Sequence, residues 1–151
     1  MIVYQSTKAL FQEHILSGEI EQIILRNFQA KLNHSTSPRE VESWRNSLLY
    51  MNTVLSDTEL PGDLGVSIEC QIPQTAKRID FIITGKDEEH QPHVVIIELK
   101  QWQSAELTAK DGIVRTALGR GLHETSHPSY QAWSYATLLE DFSETVNTEN
   151  I

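Results

Sequence analysis

Three observations predict an α/β fold. Val94-Val95-Ile96-Ile97 sets four β-branched residues just before Glu98-Leu99-Lys100, the pattern of a strand buried on both faces with charges at its end. Lys77 to Thr84 alternates, with Ile79, Phe81 and Ile83 on one face and Arg78, Asp80 and Ile82 on the other. Amphipathic helical stripes precede and follow this pair of strands. Gly85 to Pro92 is polar and bounded by Gly and Pro, so the two strands are expected to be antiparallel neighbours across a hairpin loop.

The remaining elements follow in order. Ile2-Val3-Tyr4 suits a short strand, and Ser6 or Thr7 can cap a first helix carrying Leu10, Phe11, His14 and Ile15 that ends at Ser17-Gly18. Glu19 to Leu32 places Ile20, Ile23, Ile24, Phe28 and Leu32 on one helical face. His14 and His34 have no acidic or histidine partner at ligand spacing and read as residues without chemistry. Ser37-Pro38-Arg39-Glu40 is a helix start, with Ser37 at the N-cap, Pro38 in the first turn and Glu40 closing a capping box. Val41, Trp44, Leu48, Met51 and Leu55 then recur at spacings of three and four, one stripe to pack on a sheet. Pro61 to Gly65 is a turn, and Val66 to Ile72 alternates well enough to be the first strand of that sheet. Gln101 to Ser126 is the least regular stretch, read either as a basic loop or as a short helix near Leu107–Leu118 followed by a solvated loop. His127-Pro128-Ser129 opens the last helix, which puts Gln131 and Tyr135 one turn apart, and the sequence turns polar beyond Phe142.

Length and composition bound the class. A chain of 151 residues suffices for one domain with a proper core. Its formal net charge of −9, from 21 acids against 12 bases, argues against a generic nucleic-acid-coating protein. An acidic balance still suits a nucleic-acid substrate where carboxylates hold a cation. Cys70 is the single cysteine, which excludes an internal disulfide framework and a thiolate metal cluster and fits a reducing cytoplasm. The start lacks a basic segment followed by an apolar run, and no apolar run reaches about 18 residues, so an unexported protein with no membrane partner is expected.

Charge at the strand ends carries the chemistry. Glu98 and Lys100 point to the same side, about 6–7 Å apart along the strand at roughly 3.3 Å per residue, and Asp80 is an acid inside an apolar strand that can face Glu98. Glu69 either joins this group as a further carboxylate or faces solvent on an edge strand, and Glu40 is either a cap alone or an acid directed to the same place. Lys110, Arg115 and Arg120 are candidate phosphate contacts in a basic loop beside an acidic cleft.

Helix, strand, strand with Asp80, strand ending in Glu98-x-Lys100, loop, and helix with Gln131-x-x-x-Tyr135 together resemble the PD-(D/E)xK nuclease superfamily, and within it the RecB-like group. Asp80 follows Arg78-Ile79 where the family motif has a proline, a common form in that group. More narrowly, Met1-Ile-Val-Tyr-Gln-Ser-Thr-Lys8, Trp44-x-Asn46-Ser47-Leu48, Gln71-Ile-Pro-Gln-Thr75, Ile97-Glu-Leu-Lys-Gln-Trp102 and His127-Pro-Ser-Tyr-Gln-Ala-Trp-Ser-Tyr135 look like the N-terminal region of bacterial proteins that continue into a Schlafen-group-3-like helicase or ATPase. No GxxxxGK[ST] loop occurs, so helicase activity is unsupported for these residues.

The resemblance implies a restriction-endonuclease-like core (α-β-β-β-α, a mixed sheet flanked by helices) over residues 37–142, an added helical pair in 1–36, a polar tail at 143–151, and a missing final core strand. The sheet would then be completed by later residues or by a second copy, a homodimer. It further implies hydrolysis of nucleic-acid phosphodiesters, DNA ahead of RNA, with Mg²⁺ (or Mn²⁺) held by Asp80, Glu98 and the Leu99 carbonyl. Lys100 would orient the attacking water, carry developing charge or act as base, while Gln131 and Tyr135 buttress the Lys100 side or touch the phosphate. Two other readings stand beside it: a partly buried ion pair without catalysis, and a silent nuclease-like module that binds nucleic acid or a partner protein beside a helicase. Glycoside hydrolysis by Asp80 and Glu98 would require neither Lys100 nor a basic loop.

Overall fold

Thr7 closes a strand and opens a helix: its side chain accepts from the Leu10 N–H at the N-terminus of the helix that follows. In the computed structural model, which describes residues 2–32, 38–142 and 146, strand β1 (Ile2–Thr7) runs into helix α1 (Lys8–Leu16) at that point. Gly18, at φ 72°, turns the chain into α2 (Ile20–Leu32). Helix α3 is Pro38–Leu55, and Ser37, His34 and most of the polar tail lie outside the described residues. Then come β2 (Gly65–Gln71), β3 (Arg78–Lys86), β4 (Pro92–Ile97), β5 (Ala105–Leu107), β6 (Ile113–Leu118), β7 (Gly121–Ser126) and α4 (Pro128–Phe142).

The fold is mixed α and β, with two sheets. Strands β1-β2-β3-β4 form one and β5-β6-β7 the other, and every described pairing is antiparallel. The expected mixed sheet is therefore corrected, because each neighbouring pair in the first sheet is joined in the antiparallel sense. The segment before residue 37 is also more than a helical pair, since β1 pairs with β2 (Ile2 opposite Cys70, Tyr4 opposite Ile68). The 66–72 strand is thus an interior strand, where a first strand was expected.

Helices α1, α2 and α3 cover one face of the four-stranded sheet. Phe11, Ile24, Leu48 and Leu55 pack there with Val66, Ile68 and Phe81, and the Phe11 and Phe81 rings meet edge-on at 5.6 Å. Helix α4 covers the other face, where Tyr135, Leu138 and Leu139 meet Ile72, Ile79, Ile82 and Ile96. Ile79 therefore parts from Phe81 and Ile83, against the single face expected for the three. The physical reason lies across the ladder. Glu69 adopts φ 53° between Ile68, opposite Phe81, and Cys70, opposite Ile79. A left-handed residue inside a strand breaks the period-two alternation, and it does so directly across from Asp80.

Two further expectations are corrected. Strand β4 is not buried on both faces: Val95 is 51% exposed and Val94 is also open, because among the described residues β4 is the last strand of its sheet. The stretch 107–118 holds no helix. Leu118 pairs with Gly121 across Gly119-Arg120, with Gly119 at φ 62°, which is the geometry of a two-residue hairpin with glycine at its first turn position. Among the described residues, no helix is long and apolar enough to cross a membrane.

Candidate active site

The register of β3 and β4 brings the acids together. Phe81 pairs with Ile97, so Asp80 and Glu98 come next on the two strands as β4 ends. Asp80 does not extend the ladder there. Its Oδ2 accepts from the Leu99 N–H at 2.9 Å, which fixes the chain that leaves β4. Glu98 turns in beside it, with only 4% of its side chain exposed.

Two donors meet on one oxygen of Glu98. Lys100 Nζ donates to Oε1 at 2.5 Å and Gln131 Nε2 donates to the same atom at 2.6 Å. Gln131 Nε2 also lies 2.7 Å from the Tyr135 hydroxyl, one helical turn along α4. Gln131 thus reaches Glu98 itself, where support for Lys100 or a contact to phosphate was expected. Tyr135 is buried, with Lys77 Nζ 5.7 Å from its ring centroid. Among the described residues, the other oxygen of Glu98, Oε2, is buried without a hydrogen-bond partner. Burial pushes the Glu98 carboxyl above its ordinary range and the neighbouring Asp80 adds to the rise, while Lys100 opposes both.

Glu69 lies close by. Its carboxylate accepts from Trp44 Nε1 at 3.2 Å and pairs with Arg78 at 3.3 Å, and the Arg78 guanidinium also sits 5.2 Å from the Phe28 ring centroid. Together with Asp80 and Leu99, Glu69 lines a cavity of about 180 Å³ beneath Ser43 and Ser47 of α3. Of the two readings for this acid, the structure therefore favours a place beside Asp80 over one on a solvent edge. Arg78 and Trp44 are site neighbours that sequence reasoning did not assign. The signal for Arg78 was its strand parity, two residues before Asp80.

The other candidates fall elsewhere. Glu40 is in the first turn of α3, and its side chain lies outside the described residues. Lys110 and Arg115 both turn to Glu124 on β7, and Arg120 occupies the exposed β6–β7 turn. Among the described residues, none of these three cations hydrogen-bonds or ion-pairs with Asp80, Glu98 or Lys100.

A resident cation would rest on few ligands. Among the described residues, no group of three or more His, Cys, Asp or Glu side chains is arranged to hold a metal ion. Asp80 and Glu98 supply two carboxylates, and the unpartnered Glu98 Oε2 is an acceptor in want of a positive partner. That atom fits a hard cation such as Mg²⁺, which takes one or two carboxylates and keeps several waters. Comparison with family models, with curated proteins and with solved structures gives no match to this chain.

Proposed function

We propose that the chain is a metal-dependent nuclease with a restriction-endonuclease-like core, hydrolysing nucleic-acid phosphodiesters, DNA ahead of RNA, at Asp80, Glu98 and Lys100. One observation carries this reading. Side chains from three elements converge where β3 and β4 part, and they leave one buried carboxylate oxygen, Glu98 Oε2, without a partner. A structural ion pair would have no need of that oxygen, since an unsatisfied buried acceptor costs about 1–3 kcal/mol.

Asp80, Glu98 and the Leu99 carbonyl would hold Mg²⁺, or Mn²⁺ in its place. Bound there, the ion supplies Lewis-acid polarisation of a phosphoryl oxygen and lowers the pKa of an attacking water. Lys100, on the same side as Glu98, orients that water and offsets negative charge that grows on the phosphoryl group. Gln131 fixes the Glu98 carboxylate, and Tyr135 fixes Gln131 in turn. We assign the protein to the cytoplasm, in keeping with its single cysteine, and take a helicase or ATPase domain as its functional partner.

The test is cleavage of labelled single- and double-stranded DNA and RNA in Mg²⁺, Mn²⁺ or EDTA. Wild type should cut only with metal, and Asp80→Ala and Lys100→Ala should each lose on the order of 10²-fold or more. Cutting that persists in EDTA, or in Asp80→Ala, would refute the assignment. A folded wild type that binds metal and nucleic acid without cutting would instead mark a silent binding module.

A further inference from the structure

The chain that leaves Lys100 does not wander off. Gln101 Nε2 donates to the Ser43 carbonyl at 2.6 Å and to Ser47 Oγ at 3.2 Å, which pins Gln101 against α3. Between this segment and the helix runs an open groove of about 610 Å³. Lys100 and Leu99 stand at one end of it, Asn46 and Gln103 contribute amides, and Tyr50 and Trp102 contribute aromatic rings. This groove shares Ser47 and Leu99 with the cavity that Asp80 lines, so the two adjoin.

Charge and ring chemistry decide what suits it. A duplex is gripped chiefly through its phosphates, by several lysines and arginines. Lys100 is the only charged side chain on this lining among the described residues, and the chain as a whole is acidic at −9. Tyr50, on α3, is 77% exposed and has no ring partner among the described aromatic pairs. An exposed ring, Tyr50, and a half-buried one, Trp102, beside amides are the equipment for unpaired bases, which stack on rings and present their edges to side-chain donors and acceptors. A peptide would find the same rings, but it would not draw on Lys100 in the groove or on Asp80 in the adjoining cavity.

We infer that the groove between Tyr50 and Trp102 seats unpaired bases of single-stranded nucleic acid beside Lys100, so that single strands or frayed ends are the substrate class; this rests on the nuclease reading of the site. Stacking supplies most of the hold and Lys100 a single phosphate contact. Affinity should then be tolerant of sequence and shallow in salt, with log affinity falling against log salt at a slope of about −0.7, the figure for one phosphate on a single strand.

The experiment is binding in EDTA, which removes cleavage from the readout. Fluorescence anisotropy follows the full chain with a labelled twelve-nucleotide dT strand, the same length of U-rich RNA, and a blunt DNA duplex. Either single strand should bind at least about tenfold more tightly than the duplex, and the tighter of the two names the sugar. Tyr50→Ala, at an exposed position, should weaken single-strand binding roughly 5- to 150-fold, the range for loss of one stacking ring. Trp102→Leu, checked for folding by circular dichroism, should weaken it to a similar degree. Equal or tighter binding of duplex, a Tyr50→Ala variant that binds like wild type, a steep salt slope, or no binding of any oligonucleotide would each overturn the inference. Single-strand binding without cleavage in Mg²⁺ would leave the groove in place and sink the nuclease, whereas duplex cleavage indifferent to Tyr50 would do the reverse.

Discussion

Glu98→Gln should make the metal-free protein more stable at neutral and alkaline pH. In the wild type this carboxylate is almost wholly buried, Oε2 has no partner, and Asp80 stands beside it. Replacing the acid by its amide removes the buried charge and its repulsion with Asp80, while the amide carbonyl can still accept from Lys100 and Gln131. Against that stands the lost ion pair to Lys100, but the Glu98 carboxyl lies above its ordinary range even with Lys100 beside it, so burial and Asp80 outweigh that pair. The difference is a net gain on the order of 1 kcal/mol, or about 2–4 °C in Tm for a domain of this size. The pH dependence has a definite sign. Glu98 has its folded value raised above the ordinary 4.5, so its contribution to stability is fully present below 4.5 and is lost as pH rises through the folded value. The advantage of the variant should therefore vanish toward pH 4 and be complete above the window. Thermal melts in EDTA from pH 4 to 8 measure this. Millimolar Mg²⁺ should reverse the order, because only the wild type gains from ion binding. A variant less stable than wild type at pH 8 in EDTA would mean that Lys100 and Gln131 fully satisfy the carboxylate, and the case for a cation at Oε2 would fall with it.

Two other substitutions probe the frame. Lys8 is buried, and its Nζ donates to the Asp57 carbonyl at 3.0 Å and the Leu60 carbonyl at 2.6 Å, so Lys8→Ala should cost roughly 3 kcal/mol by denaturant melt, with less than 1 kcal/mol refuting that role. Gln131→Ala should raise the Mg²⁺ concentration for half-maximal cleavage about 10- to 100-fold, as loss of a ligand-orienting partner does, whereas a purely structural role would lower Tm and leave that midpoint unmoved.

What could be read from the sequence followed from residues that are odd for their elements. An acid in the apolar run of β3, and Glu98 and Lys100 after four β-branched residues, are costly unless they serve a site, and the register of Phe81 with Ile97 does bring the acids together. Helix ends were legible for a local reason: Thr7 and Gly18 act through their own backbone neighbourhood and need no tertiary partner. Burial of β4 was not, because a β-branched run records a preference for extended backbone and says nothing of how many layers cover it. Strands β5 to β7 were missed for a related reason. Most of their side chains are exposed, so no apolar alternation marks them, and they are held by ladder bonds and by links such as Thr116 Oγ1 to the Ser104 carbonyl at 2.7 Å.

The reversal of faces at Asp80 required something further. The left-handed backbone of Glu69 stands where the faces change, with Cys70 and Ile79 on the α4 face and Ile68 and Phe81 on the other, and glutamate gives no local sign of that conformation. Such a backbone costs on the order of 1–3 kcal/mol and persists only where its surroundings hold it, here Trp44 and Arg78 on the Glu69 carboxylate. The consequence reaches the site. Asp80 lies at the changeover, where the ladder gives way, and its Oδ2 is thereby free to take the Leu99 N–H instead of standing on a flat sheet face. Glu69 and Asp80 thus stand across from each other at the changeover, on the two strands whose pairing frames the site.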